Sequence, residues 1–112
     1  MSAITTHVLD TSLGKPAAGV PALLEKQSGE GAWTEAGRGV TDDDGRIRDL
    51  LKSPLEAGIY RLTFDTAGYF EARNTPSFFP QVIIVFEVRN AGQHHHVPLL
   101  LSPFGYSTYR GS

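Results

Sequence analysis

Four places in this chain carry side chains suited to moving protons or holding an anion, and they lie far apart: His7, Arg46, His96 and the closing Tyr109-Arg110-Gly111-Ser112. Imidazole titrates near neutrality, so His7 and His96 can move protons or orient water at working pH. A lone strand histidine is more often a packed or solvated side chain. Both of these fall on the non-core faces of apolar strands, which weakens that reading. Arg46 follows Asp42-Asp43-Asp44-Gly45. The common outcome there is a turn with a solvated arginine; the functional one is a planar fork holding an anionic oxygen. A calcium loop fails on spacing, since an EF-hand needs alternating acids and a glutamate at its twelfth position. His94 and His96 form a His-x-His pair on one strand face, a spacing found in zinc sites. A third ligand would have to be His7, and no carboxylate or thiolate companions are evident, so no metal is expected. At the end of the chain the Ser112 hydroxyl and a terminal carboxylate can hydrogen-bond a heterocycle or fix a histidine. Without a Gly-x-Ser-x-Gly elbow, Ser112 is not expected to be a nucleophile.

The elements that must position these groups are mostly strands. Ile4 and Val8 alternate with His7 and Leu9, a first strand with its core face opposite His7. Gly19 to Gln27 and Trp33 to Val40 read as a second and third strand, and the acidic turn then delivers Arg46. Tyr60, Leu62 and Phe64 share one face of a strand over Gly58 to Asp65. Thr66 to Asn74 is the one credible helix, capped by Asp65 or Thr66 and stopped by Thr75-Pro76. Val82, Ile84, Phe86 and Val88 line one face of the next strand. In the last stretch His95, Val97, Leu99 and Leu101 fall on the core face, and His94, His96, Pro98 and Leu100 on the other. Pro98 cannot donate a ladder hydrogen bond, which predicts an edge or a bulge. Pro103 and Gly105 turn the chain into a short return strand over Tyr106 to Tyr109, which should tie the end down. Trp33 and the phenylalanines read as core. Seven to eight short strands with one short helix predict an all-β, antiparallel β-sandwich forming a single domain over residues 1–112.

The totals exclude several classes. A chain of 112 residues can bury a core without staples. There is no cysteine, hence no disulfide framework and no thiolate chemistry. Ten basic against twelve acidic residues give a net charge of −2 with no basic patch, which argues against nucleic acid as a partner. No apolar run is long enough to span a membrane. The first residues lack a basic region followed by an apolar one, so a cytoplasmic location is expected.

Three separated motifs and the ending carry a resemblance. Thr5-Thr6-His7-Val8-Leu9-Asp10-Thr11, Asp44-Gly45-Arg46, Phe78-Phe79-Pro80, and His94-x-His96-Val97-Pro98-Leu99-Leu100-Leu101-Ser102-Pro103 running to Tyr109-Arg110-Gly111-Ser112 stand in order along nearly the whole chain. Together they resemble the 5-hydroxyisourate hydrolases, the transthyretin-related enzymes of urate breakdown. The Tyr-Arg-Gly-Ser ending is similar to the tetrapeptide that separates these enzymes from transthyretin proper. The resemblance implies a transthyretin-like sandwich and a cofactor-free cyclic-amide hydrolase acting on 5-hydroxyisourate. It also implies a homotetramer, a dimer of dimers with sites in the groove between dimers. Leu9 and Leu100, apolar and outward beside the histidines, suit such an interface. His7 and His96 match the family's active-site histidines, and Arg46 its middle-motif arginine. Ser112 is expected among the catalytic residues, with Tyr109 and Arg110 binding substrate beside His7 and Arg46. His95 departs from the tyrosine usual in relatives; on the face opposite His96, it should alter packing more than chemistry. Which histidine is the base stays open. The rival reading is a transthyretin-like carrier of a small aromatic ligand.

Overall fold

A computed structural model describes residues 3–112; the first two residues of the expected domain lie outside the described residues. Among the described residues the order is β1 (Ile4–Asp10), β2 (Lys15–Pro16), β3 (Pro21–Gln27), β4 (Trp33–Val40), β5 (Arg46–Ile47), β6 (Gly58–Phe64), α1 (Thr66–Glu71), β7 (Val82–Val88), β8 (His95–Ser102) and β9 (Gly105–Thr108). Seven of these strands are full-length. β2 and β5 are two-residue pairings, too short to leave a periodic signal in the sequence.

Two sheets form the sandwich. One runs β4-β3-β6-β7; the other runs β2-β1-β8-β9, with β5 also paired to β1. The antiparallel expectation holds everywhere except at the centre of the second sheet. There β1 and β8 run parallel over their whole shared length, from Ile4 opposite His95 to Asp10 opposite Leu101. A parallel pair needs a long crossover, and here the intervening chain builds the entire opposite sheet. On its other side β1 takes β5 at Thr6–His7 and β2 at Leu9–Asp10.

Period-two alternation fills the space between the sheets. Ile4 and Val8 of β1, Leu99 and Leu101 of β8, and Leu62 and Phe64 of β6 are buried there. Thr6 shares that face and is satisfied by donating to the Val97 carbonyl at 2.7 Å. His95 is buried on the same face, as its position predicts. Trp33 is not core: it lies half-buried, with the Arg61 guanidinium 4.3 Å over its ring. The phenylalanines divide. Phe64 and Phe70 are core, while Phe78 and Phe104 are 71% and 69% exposed.

Two local predictions resolve in detail. Asp65 caps α1, accepting from Gly68 N–H at 3.1 Å. The regular helix stops at Glu71 and closes with Asn74 N–H to Glu71 O and Thr75 N–H to Phe70 O, with Asn74 at φ 52°. This is a Schellman close on a left-handed asparagine, and it ends the helix before Thr75-Pro76. Pro98 lies inside the sheet rather than on an edge strand. Its missing N–H faces the side where β9 has already left: the ladder to β9 stops at Leu99 opposite Thr108. Beyond it the Thr108 hydroxyl donates to Pro98 O, and the tail rejoins at Gly111 N–H to His96 O.

Candidate active site

The parallel register lays out one sheet face. Thr5 stands opposite His96, His7 opposite Pro98 and Leu9 opposite Leu100, with Arg46 opposite His7 on the other flank. Because side chains alternate, Thr5, His7, His96 and Arg46 all point away from the core onto this face. β5 is held there by its turn. Asp42 Oδ1 accepts from the N–H groups of Asp44 (2.9 Å) and Arg46 (3.0 Å), and Val8 N–H donates to Gly45 O at 2.8 Å. Gly45 sits at φ 77°, and a Cβ there would lie 2.3 Å from Val8 O and 3.3 Å from the His7 ring. Only glycine fits this conformation and this close approach.

A groove of about 620 Å³ opens over this face, lined by Thr5, Thr6, Arg46, Ile47, Arg48, Asp49, His94, His96 and Ser112. Three of the four expected catalytic residues, Arg46, His96 and Ser112, thus share one cavity. His7 lies at its edge rather than in its lining, packed against the Gly45 turn. The Arg46 side chain is exposed. Tyr109 and Arg110 line a different cleft, of about 210 Å³, where β7 faces β8. There Arg110 donates to Gln93 at 3.3 Å. The tail therefore splits: its first half faces that cleft, and its last residue reaches the groove.

Gly111 explains how the tail gets past His96. A Cβ on Gly111 would fall 2.4 Å from His96 Cδ2, so the backbone lies directly against the imidazole. The Thr5 hydroxyl lies 2.8 Å from His96 Nδ1 and 3.0 Å from His94 Nε2. Nδ1 is thus occupied, and Nε2 is the remaining nitrogen of His96. Burial first, then the neighbouring His7, His94 and Arg46, lower the pKa of His96 below the ordinary 6.5; a hydrogen bond with the Thr5 backbone works the other way. His96 is accordingly neutral at pH 7 and carries a lone pair. Next to it, His95 is also pushed down, first by burial and then by Arg110, and its Nδ1 has no hydrogen-bond partner. Among the described residues no group of three or more His, Cys, Asp or Glu is placed to hold a metal ion.

Such a site has a neutral base, a cation able to hold an anionic oxygen, and room for a small planar molecule. Two parts of this arrangement carry no signal of their own in the sequence. Thr5 shares a face with His7 at period two, and its register with His96 requires the parallel pairing, which no short-range pattern reveals. Gly111 reads from sequence as punctuation; its packing role depends on the His96 ring. In the sequence His94 stands out only as half of a His-x-His pair.

Fold and groove define a transthyretin-like sandwich with a histidine–arginine site on its outer sheet face. Residues 4–111 match the model of the HIUase/Transthyretin family, and the chain belongs to that family. It is 46% identical over 110 residues to the 5-hydroxyisourate hydrolase of Salmonella dublin, covering 97% of this chain and 80% of that one. The structure of Klebsiella pneumoniae 5-hydroxyisourate hydrolase is 40% identical, with TM-score 0.83 over 97% of this chain and 98% of that chain. Sea bream transthyretin, solved in complex with thyroxine, superposes with TM-score 0.93 at 32% identity, over 98% of this chain and 95% of that chain. Shape alone therefore does not separate a hydrolase from a thyroxine-bound transthyretin, and the side chains of the groove must. No helix among the described residues is long and apolar enough to cross a membrane.

Proposed function

We propose that this chain hydrolyses 5-hydroxyisourate to 2-oxo-4-hydroxy-4-carboxy-5-ureidoimidazoline in urate degradation. Water attacks a ring amide carbonyl, and no cofactor takes part. The observation that carries this reading is the convergence of Arg46, His96 and Ser112 in one groove, with His7 at its edge, from four separate segments. Opening a cyclic amide needs an activated water, stabilisation of the developing oxyanion and a proton for the leaving nitrogen. His96, neutral and with Nε2 free, suits the water-activating step. Arg46 suits the anionic oxygen. His7, beside Arg46, is assigned a share of the proton work, and Ser112 hydrogen-bonds the heterocycle or the water.

The working form proposed is a homotetramer, a dimer of dimers. Leu9 and Leu100 stand half-buried on the groove face, and Ile83 and Val85 are exposed on the edge strand β7, apolar surface that an assembly would cover. Tyr109 and Arg110 face away from their own groove, so their assigned contact with substrate is across a chain–chain boundary. The compartment proposed is the cytoplasm, since nothing in this cysteine-free fold needs an oxidising one.

The likeness to sea bream transthyretin makes the carrier the second reading. Adding the protein to 5-hydroxyisourate freshly made from urate decides between them. Loss of its ultraviolet absorbance well above the spontaneous rate supports the hydrolase. Tight binding of an aromatic ligand with no acceleration supports the carrier.

A further inference from the structure

We propose that Thr5 is a positioning residue for this reaction, its hydroxyl coupling His96 to the exposed His94 so that a proton taken up in the groove is delivered to the surface. The proposal rests on the hydrolytic reading above. The Thr5 oxygen lies within hydrogen-bond distance of one nitrogen on each ring, His94 Nε2 and His96 Nδ1. A hydroxyl has one proton and two lone pairs, so at most one of these nitrogens can accept from it and at least one must carry an N–H that donates to it. The two imidazoles therefore cannot choose their tautomers independently. When Thr5 donates to His94 it accepts from Nδ1–H of His96, and His96 presents a lone pair on Nε2 toward the groove.

The proton balance follows. The attacking water gives a proton to His96 Nε2. His96 passes its Nδ1 proton to the Thr5 oxygen, and Thr5 passes its own proton to His94 Nε2. His94 ends as the imidazolium, while His96 and Thr5 end neutral with the hydroxyl orientation reversed. Running the steps backward returns the proton to His96 Nε2 for the leaving nitrogen. No proton is gained or lost over the cycle.

The surroundings explain why such a transfer helps. His96 is half-buried, with the Arg46 guanidinium and the His7 and His94 imidazoles around it, and the groove also holds Arg48, Asp49 and Ser112. Charge is unfavourable on His96. His94 is exposed, so water solvates its charge. Its ring lies nearly parallel to that of His96, with centroids 6.4 Å apart.

The test is Thr5→Val, which keeps the β-branched shape and removes the hydroxyl, with Thr5→Ser as the conservative restoration. Thr5→Val is expected to lower kcat on the order of tenfold to hundredfold with KM unchanged. Thr5→Ser should recover most of the loss. His94→Ala should match Thr5→Val, and the double variant should be no slower than either. Independently of turnover, ring ¹⁵N shifts in the resting protein should show His94 and His96 titrating as a coupled pair in wild type and separately in Thr5→Val. A folded Thr5→Val protein with wild-type kcat and an unchanged coupled titration would overturn the proposal. If wild type fails to accelerate substrate decay, the hydrolytic reading falls, and the ¹⁵N titration alone decides whether Thr5 couples the two rings.

Discussion

At the scale of single residues, the account turns on His96 being neutral. Its folded pKa is depressed, chiefly by burial and then by His7, His94 and Arg46. The unfolded chain therefore binds the proton first as pH falls. The stability linked to His96 is complete above the ordinary value of 6.5 and is lost as pH falls through its folded value. The same shift places the acid limb of the kcat/KM profile below pH 6.5, and a limb centred above it would contradict the assignment. Gly111 offers a second test at this scale. Gly111→Ala must displace the tail from the His96 ring, and turnover is expected to drop on the order of tenfold to hundredfold, with the melting temperature nearly unchanged because Gly111 lies outside the regular elements and the hydrophobic core. His7, Arg46 and His96 were legible in the sequence because their side chains announce their chemistry. Thr5 and Gly111 were not. A hydroxyl and a missing methyl acquire meaning only from the neighbour that the fold supplies.

At the scale of elements, the site depends on β1, whose C-terminal end is pinned through its buried face. The Asp10 side chain, at its C-terminal end, is tied to α1: Tyr69 Oη donates to Asp10 Oδ2 at 2.7 Å, and Ser12 and Leu13 supply further donors to Oδ1. Burial raises the pKa of Asp10, but these hydrogen bonds outweigh it and hold the carboxylate below its usual range. Tyr69 is pushed up to about 12, by burial first and by Asp10 second. The signs differ. The Asp10 contribution is present above pH ~4 and is lost as pH falls through its folded value. The Tyr69 contribution is present below its ordinary value of 10.0 and is lost as pH rises through about 12. Tyr69→Phe should cost about 1.5–3 kcal/mol in urea unfolding and remove the alkaline transition; a loss under 0.5 kcal/mol would show that the helix is anchored by other contacts. The turn before Arg46 gives a parallel case. Gly45→Ala combines a positive φ with a Cβ directed at Val8 O, and about 1–3 kcal/mol of destabilisation is expected. Most elements were legible because alternation over seven or eight residues is a strong signal. The parallel β1–β8 pairing and β5 were not, because register between distant strands, and a strand of two residues, leave no local pattern.

At the scale of the whole molecule, the groove lies on an outer sheet face, in the open, with apolar Leu9 and Leu100 beside it. The proposed assembly would cover that apolar surface, and light scattering is expected to report a tetramer; a monomer with full activity would contradict the assembly. The sandwich architecture followed from the run of strands and turns; the sheet order did not. The sharing of the tail between two clefts did not either, since the short run from Thr108 to Gly111 leaves no periodic signal. The central claim is that His7, Arg46 and His96 act together on 5-hydroxyisourate, and the most direct test is the decay of fresh substrate absorbance with wild type and with His7→Ala, Arg46→Ala and His96→Ala in turn. The account predicts clear acceleration by wild type and a loss of roughly a hundredfold or more in each variant, with folding intact by circular dichroism. A well-folded His96→Ala protein that turns substrate over at the wild-type rate would contradict it.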